Sequence, residues 1–256
     1  IHPYFSVLWS CLEKELHRHG YNMMLCNTGG NPLIEREYLD TLERNLFDGM
    51  IIGAAFLPDE YYTGMEKPMI SLDRIIPGIP LVTSDHEQGG RIAAEKMLES
   101  GCRKVLQLSN LEEKTISSAK AGKEFSHRMK RSGTEIITES IAWDEVVHYE
   151  KAMEWSRRIL RIHKDLDGIM VNDLCAAAFL KASREQGIHV PKDLKILSYD
   201  GTYVTDYNYR TLSAIVQDME EIAKSAVEVL LKLINHQPLI KREIYVPVHF
   251  KPGETL

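Results

Sequence analysis

The sequence predicts an α/β protein of two Rossmann-like lobes, each a parallel sheet with helices packed on its faces. Three observations point there. The stretch Asp48-Gly49-Met50-Ile51-Ile52 recurs as Asp167-Gly168-Ile169-Met170-Val171, each time after an amphipathic, charge-rich segment, so one β-α-β design is used twice. Short apolar runs alternate with helical periodicity along the chain, the pattern of parallel sheets joined by right-handed crossovers. Finally, 256 residues exceed the usual size of one compact core and suit two domains. Two similar lobes with a cleft between them make a binding protein.

The elements follow in order. Phe5, Leu8, Trp9, Leu12 and Leu16 recur at three-to-four-residue spacing after Pro3 and predict a helix that stops near Gly20. Residues 21–26 read as a short strand, and Asn27-Thr28-Gly29-Gly30-Asn31-Pro32 as a turn cluster. Glu35, Tyr38, Leu39, Leu42 and Leu46 mark a second helix that leads into a strand at 50–52. Further strands are expected at 69–72, 81–83, 105–108, 135–141, 169–171, 195–199 and 244–250. Helices are expected at 89–101, 119–132, 148–163, 174–186 and 218–234. No Pro/Ser/Gly-rich linker separates the lobes, so any hinge consists of short crossing strands.

Composition excludes several classes. At 44% hydrophobic and 27% charged residues the chain is that of a globular protein, and no apolar run is long enough to cross a bilayer. A formal charge of −6 gives no general basic footprint for phosphate backbones. Cys11, Cys26, Cys102 and Cys175 are scattered without a C-x-x-C pair and are expected as buried free thiols in a reducing cytosol. The opening Ile1-His2-Pro3, with no methionine, charged n-region or apolar h-region, reads as a fragment of a longer protein. Catalytic and metal templates fail: there is no G-x-S-x-G, no phosphate loop, no G-x-G-x-x-G and no H-E-x-x-H. His86-Glu87 lacks the second histidine of a zinc site, and His17-Arg18-His19 suits a helix C-terminus. No cofactor and no metal is expected.

Ligands of open parallel sheets bind beyond the carboxyl ends of the strands, so polar residues just after strands are the candidates. Asn172-Asp173 follows one strand and either caps the next helix or meets a ligand. Asp200, before Gly201, either closes an Asx-turn or faces the cleft. Asp73 can reach a ligand or pair with Arg74, and Asp85 can do the same or cap a helix. Tyr4 and Phe5 are either core or an aromatic wall for the apolar face of a sugar or base.

Along nearly its whole length the chain resembles the effector-binding core of the LacI/GalR family of bacterial transcription regulators. The motifs stand in order. They are His2-Pro3-Tyr4-Phe5-Ser6, similar to an Asn-Pro-aromatic-Phe opening; Gly20-Tyr21-Asn22 with Cys26-Asn27-Thr28; and Phe47-Asp48-Gly49-Met50-Ile51-Ile52. Then come Leu72-Asp73-Arg74, Ser84-Asp85 with Gly89-Gly90, Asn172-Asp173-Leu174 with Ala176, and Val190-Pro191-Lys192-Asp193-Leu194. Ser198-Tyr199-Asp200 and Leu212-Ser213-Ala214-Ile215 with Gln217 complete the set. Each is weak alone; the ordered set is specific.

The resemblance implies a fold like that of type I periplasmic binding proteins, with three crossovers between lobes and a small-molecule effector between them. It implies a first lobe of residues 1–84 plus 217–236 and a second of 85–216 plus 237–256. It also implies a cytoplasmic homodimer that acts on operator DNA through a headpiece outside these residues, with no membrane partner. Tyr4, Phe5, Asn172 and Asp200 would touch the effector, most readily a sugar. Asp73 and Asp85 would lie near the crossovers, and Trp143 would offer an aromatic from the second lobe or pack inside it. One departure stands out: where the family commonly has Arg-x-x-Gly, this chain has Ala119-Lys120-Ala121-Gly122. Either a neighbour such as Lys120 supplies the cation or the ligand differs. The alternative of a solute-binding protein that feeds a sugar transporter has the same fold.

Overall fold

The computed structural model describes residues 2–108 and 116–256. It opens with helix α1 (Pro3–Arg18), whose first turn accommodates Pro3 because no helical N–H is needed there, and whose Leu8, Leu12 and Leu16 form a buried stripe. Helix α2 (Pro32–Glu43) starts the same way, with Asn31 accepting from the Leu33 N–H. Strands β1 (Met50–Ile52), β2 (Met69–Leu72) and β3 (Leu81–Ser84) follow, with the single-turn helix α3 (Glu60–Thr63) between β1 and β2.

The chain then crosses into α4 (His86–Glu99), β4 (Lys104–Leu108), α5 (Ala119–Arg131), β5 (Glu135–Glu139), α6 (Trp143–Val146), α7 (Tyr149–Ile162), β6 (Gly168–Asn172), α8 (Asp173–Glu185), β7 (Lys195–Asp200) and β8 (Ser213–Gln217). It returns as α9 (Met219–Ile234) and β9 (Glu243–Val246), then crosses once more into β10 (Val248–Lys251).

Two sheets result. The first has the order β1-β2-β3-β9, all parallel; the second has β10-β8-β7-β6-β4-β5, parallel except for the antiparallel pair of β10 with β8. On the first sheet, the α1 stripe and Ile222, Ala226 and Leu230 of α9 cover Ile70 and Val82, while Leu39, Leu42 and Tyr62 fill the opposite side. On the second, α4 and α5 bring Met97, Phe125 and Met129 to one side, and α7 and α8 bring Met153, Ile159 and Phe179 to the other. The repeated Asp-Gly motif has a packing reason. A Cβ at Gly49 would lie 2.9 Å from Leu230 Cδ1, and one at Gly168 would lie 2.6 Å from Met97 Cε, so both strands begin where a side chain presses on bare backbone.

Several expectations change. Residues 21–26 are extended, with Tyr21 and Met23 turned to the core, but they join no ladder among the described residues. The strand expected at 244–250 is two strands, because Pro247 lacks the N–H a ladder needs and the chain changes sheets there. That also corrects the lobe boundary: Glu243–Val246 pairs with β3, so this part of 237–256 belongs to the first sheet. Strand β8 was not foreseen as a strand. The four cysteines are free, but only Cys102 and Cys175 are buried; Cys11 and Cys26 are half-buried. Among the described residues no helix is long and apolar enough to cross a membrane, and no group of three or more His, Cys, Asp or Glu is placed to hold a metal.

Candidate functional site

The lobes meet where strand ends, helix starts and three crossovers converge. The crossovers lie at 84–86, 217–218 and 246–248, and hydrogen bonds tie them together. Ser84 Oγ donates to Gln217 Oε1 at 2.8 Å, the Asp85 N–H donates to the Val246 carbonyl at 2.7 Å, and the Val248 N–H donates to Gln88 Oε1 at 2.9 Å. Asp85 itself caps α4, accepting from the Gln88 N–H at 2.9 Å. Its carboxylate serves the hinge, as the capping alternative had it.

Two carboxylates stand at this junction, one on each sheet. Asp73, just after β2, has φ 63°, and Asp200, the last residue of β7, has φ 122°. Non-glycine residues held in that region cost free energy, and such strain is typically kept where a side chain must be aimed. Asp73 Oδ1 accepts from Thr83 Oγ1 at 2.9 Å and from His86 Nε2 at 2.9 Å. Burial works to raise this carboxyl, but the hydrogen bond and charge of His86, with help from Ser118 and Thr83, outweigh it and hold Asp73 below the usual carboxylate range. Asp200 has the opposite balance. Burial and the charge of Asp173 push it well above that range, against the Gln217 Nε2 donor at 2.7 Å.

Burial raises the Tyr4 hydroxyl well above its usual value, and the charges of Asp73 and Asp200 both add to the shift. Phe5 stands edge-on to Tyr4 at 5.3 Å, stacks on Trp9 at 5.8 Å, and meets Trp143 of α6 edge-on at 6.2 Å across the lobes. Trp143 is 56% exposed, so it is not a core residue. Its other neighbour is His2, stacked at 4.8 Å.

Asn172 caps α8, its Oδ1 accepting from the Cys175 N–H at 3.0 Å; its register partner is Tyr199, one residue before Asp200. The cap uses the oxygen and leaves the amide NH2 without a partner among the described residues. Cap and ligand contact are therefore compatible. Arg74 does not pair with Asp73; it reaches the Ala55 carbonyl at 2.6 Å and Asp59 at 3.3 Å. The Lys120 ammonium lies 5.2 Å from the centroid of the Tyr245 ring of β9.

Sequence reasoning missed His86, Tyr199 and Gln217 as site residues and left the role of Asp173 open between cap and ligand contact. His86 is 3% exposed and bridges the lobes: Nε2 donates to Asp73, and Nδ1 meets Tyr199 Oη at 3.0 Å. Tyr199 reaches it by passing over Gly89, where a Cβ would sit 2.3 Å from the phenol oxygen. Gln217 couples Asp200 to Ser84. Asp173, fully buried, accepts from Ser198 Oγ, from the Gly201 N–H at 3.2 Å, and from the N–H and Oγ1 of Thr202, both at 2.6 Å. It thereby holds the loop that follows Asp200. The signals in the sequence were the motif Gly89-Gly90, the Gln217 position and the place of Asp173 just after a strand.

A strained acidic pair from facing sheets, aromatic walls on both sides and a hinge of three tied crossovers define a two-lobed small-molecule-binding protein. A family model described as a periplasmic binding protein-like domain matches residues 94–256. The sucrose operon repressor of Streptococcus mutans is 33% identical over 262 residues, covering 100% of this chain and 78% of that protein. The ribose operon repressor of Halalkalibacterium halodurans is 30% identical, covering 99% and 76%. Among solved structures, a periplasmic binding protein/LacI transcriptional regulator from Alkaliphilus metalliredigens complexed with D-xylulofuranose superposes with a TM-score of 0.87 at 25% identity, over 99% of this chain and 94% of that one. The chain belongs to the LacI/GalR family of transcription regulators.

Proposed function

We propose that these residues form the effector-binding and dimerisation core of a cytoplasmic repressor that senses a small sugar. The observation that carries the reading is the approach of Asp73 and Asp200, one from each lobe, at the His86–Tyr199 bridge, with the aromatic pair Phe5 and Trp143 spanning the lobes. Carboxylates accept from vicinal hydroxyls, and aromatic faces suit the apolar face of a pyranose or furanose. Such a guest contacts both lobes, so it favours one degree of closure over another and shifts the population towards it. The crossover hydrogen bonds convert that closure into rotation of one lobe on the other. Operator reading is assigned to parts of the protein outside these 256 residues, and nothing in the cleft is asked to turn the sugar over.

The two relatives at 33% and 30% identity are operon repressors, which favours this reading over delivery of sugar to a transporter. For the dimer contact we assign the flank of the second lobe. There a cavity of about 700 Å³ opens between α6, α7, α8 and residues 207–209; Tyr149, Tyr207 and Tyr209 in its lining are exposed, as is Tyr203, edge-on to Tyr207. Exposed aromatics in such number mark association surfaces. Titration calorimetry with sucrose, D-ribose, D-fructose and D-glucose tests the sensor, repeated on Asp200→Ala. Binding weakened in the variant is expected; unchanged affinity removes Asp200 from the site.

A further inference from the structure

The lobes also touch away from their crossovers. Residues 116–120, which lead into α5 of the second lobe, meet the turn that ends β2 in the first. Arg74 and Ile116 form an antiparallel backbone bridge, and the Ser117 N–H donates to the Asp73 carbonyl at 2.7 Å. Lys120 reaches the first lobe with its side chain. Its ammonium lies 5.2 Å from the centroid of the Tyr245 ring, and Tyr245 Oη donates to Glu243 Oε2 at 2.7 Å, both residues of β9.

Each of the two surfaces is held by its own lobe. In the first, the Arg74 N–H donates to the Leu72 carbonyl at 2.7 Å, Ser71 Oγ donates to the Arg74 carbonyl at 2.7 Å, and the Arg74 guanidinium donates to the Ala55 carbonyl at 2.6 Å. In the second, the Lys120 N–H donates to the Ser117 carbonyl at 3.0 Å and ties the turn to the helix it starts. Turns already fixed in this way lose little conformational entropy on pairing, so more of the contact survives as net attraction than between loose loops. Asp73 serves both places at once: its carboxylate accepts from Thr83 and His86, while its main-chain oxygen accepts from Ser117. Every donor and acceptor in this seam belongs to the chain, and none of them waits for a ligand.

We propose that residues 116–120 are a strap that holds the two lobes closed in the absence of effector, through the Asp73–Ser117 backbone pairing and the Lys120–Tyr245 contact. The open form is then the minority among ligand-free molecules. An effector that favours closure removes that minority, and it enters and leaves only while the strap is undone. The part about entry rests on the sugar-sensor reading; the closure itself does not.

Amide hydrogen exchange of the ligand-free protein, followed at Ser117 by NMR, tests the closure without any sugar. A protected Ser117 N–H is expected, because its acceptor stands on the other lobe. Tyr245→Leu removes the ring from the first lobe, and Lys120→Gln removes the cation from the second. Each should lower that protection about two- to fivefold, the worth of one exposed cation–π contact. The double variant should lose no more than either single one, as one shared contact requires. A Ser117 N–H that exchanges freely until sugar is added overturns the proposal, and so does protection that neither variant alters; both results leave the sugar reading intact. Stopped-flow tryptophan emission with sucrose, D-ribose, D-fructose and D-glucose reads the entry step. In Tyr245→Leu, association and release should both quicken about two- to fivefold while affinity changes by less than about twofold, because the strap is closed before and after binding. Faster release with unchanged association makes the strap a product of binding and overturns the proposal. If none of the four sugars binds, the sugar reading falls alone, and exchange at Ser117 decides this inference. Should one variant fail to fold, the other cuts the same contact from the opposite lobe.

Discussion

Replacing Asp173 with alanine should destabilise the second lobe by about 3 kcal/mol, although the residue touches no ligand. Its carboxylate accepts four hydrogen bonds in a fully buried place: from Ser198 Oγ, the Gly201 N–H, the Thr202 N–H and Thr202 Oγ1. The two hydroxyls can rotate to other acceptors. The two backbone donors cannot, and each buried donor left open costs roughly 1–3 kcal/mol. Against about 2–6 kcal/mol stands the relief of no longer burying a carboxyl that burial has raised above its usual range. A net loss near 3 kcal/mol corresponds to a drop of about 6–12 °C in Tm for a chain of this size. Asp173→Asn should lose roughly half as much, since an amide oxygen can still serve Thr202 and strands only the Gly201 donor. Urea unfolding followed by circular dichroism measures both. A loss below about 1 kcal/mol in the alanine variant, or an asparagine variant no better than alanine, refutes the account.

Asp200 gives a pH prediction with a definite sign. Its folded pKa is raised by burial and by Asp173, so the stability it contributes is present below its unfolded value and lost as pH rises through the folded one. The stability of Asp200→Asn relative to wild type should therefore grow from pH 4 to pH 8 in urea melts, while its sugar affinity falls; a flat difference would contradict the burial argument. Gly89→Ala should lose about 1–3 kcal/mol, because the new methyl sits 2.3 Å from Tyr199 Oη and forces that ring off His86. Thermal melts with Tyr199→Phe as background check it, since the loss should shrink there. Tyr207→Asp, at a side chain 84% exposed, should turn a dimer into a monomer in light scattering without lowering Tm below that of a monomeric core. A dimer that persists removes this flank as the contact.

Most of the architecture was legible because it is written in local patterns. The stripe of Leu8, Leu12 and Leu16 and the runs Met69–Leu72 and Lys195–Asp200 carry their periodicity on their face. Strand β8 escaped because Ser213 and Ala214 are small and carry no hydrophobic signature, yet both are almost wholly buried between β7 and β10. Residues 21–26 failed in the other direction: apolar content suggested a strand, but a strand exists only with a neighbour to pair with. At the site, strand-end position picked out Asp73, Asn172 and Asp200, which depends on chain order alone. The partnership of His86 with Tyr199, 113 residues apart, is a tertiary fact that no window of sequence contains. The contact of Lys120 with the Tyr245 ring, 125 residues on, is likewise invisible to any local reading of Ala119-Lys120-Ala121-Gly122.

The last two strands sit in different sheets with Pro247 alone between them. Neither half of the molecule is therefore a continuous piece of chain, and no single cut yields two fragments that each keep a whole sheet. A protease that nicks one crossing leaves the halves held by the other two. Exchange of one half between relatives by recombination would need three joints placed in register, so guest preference in such a scaffold is expected to drift by side-chain replacement at the seam rather than by swapping halves.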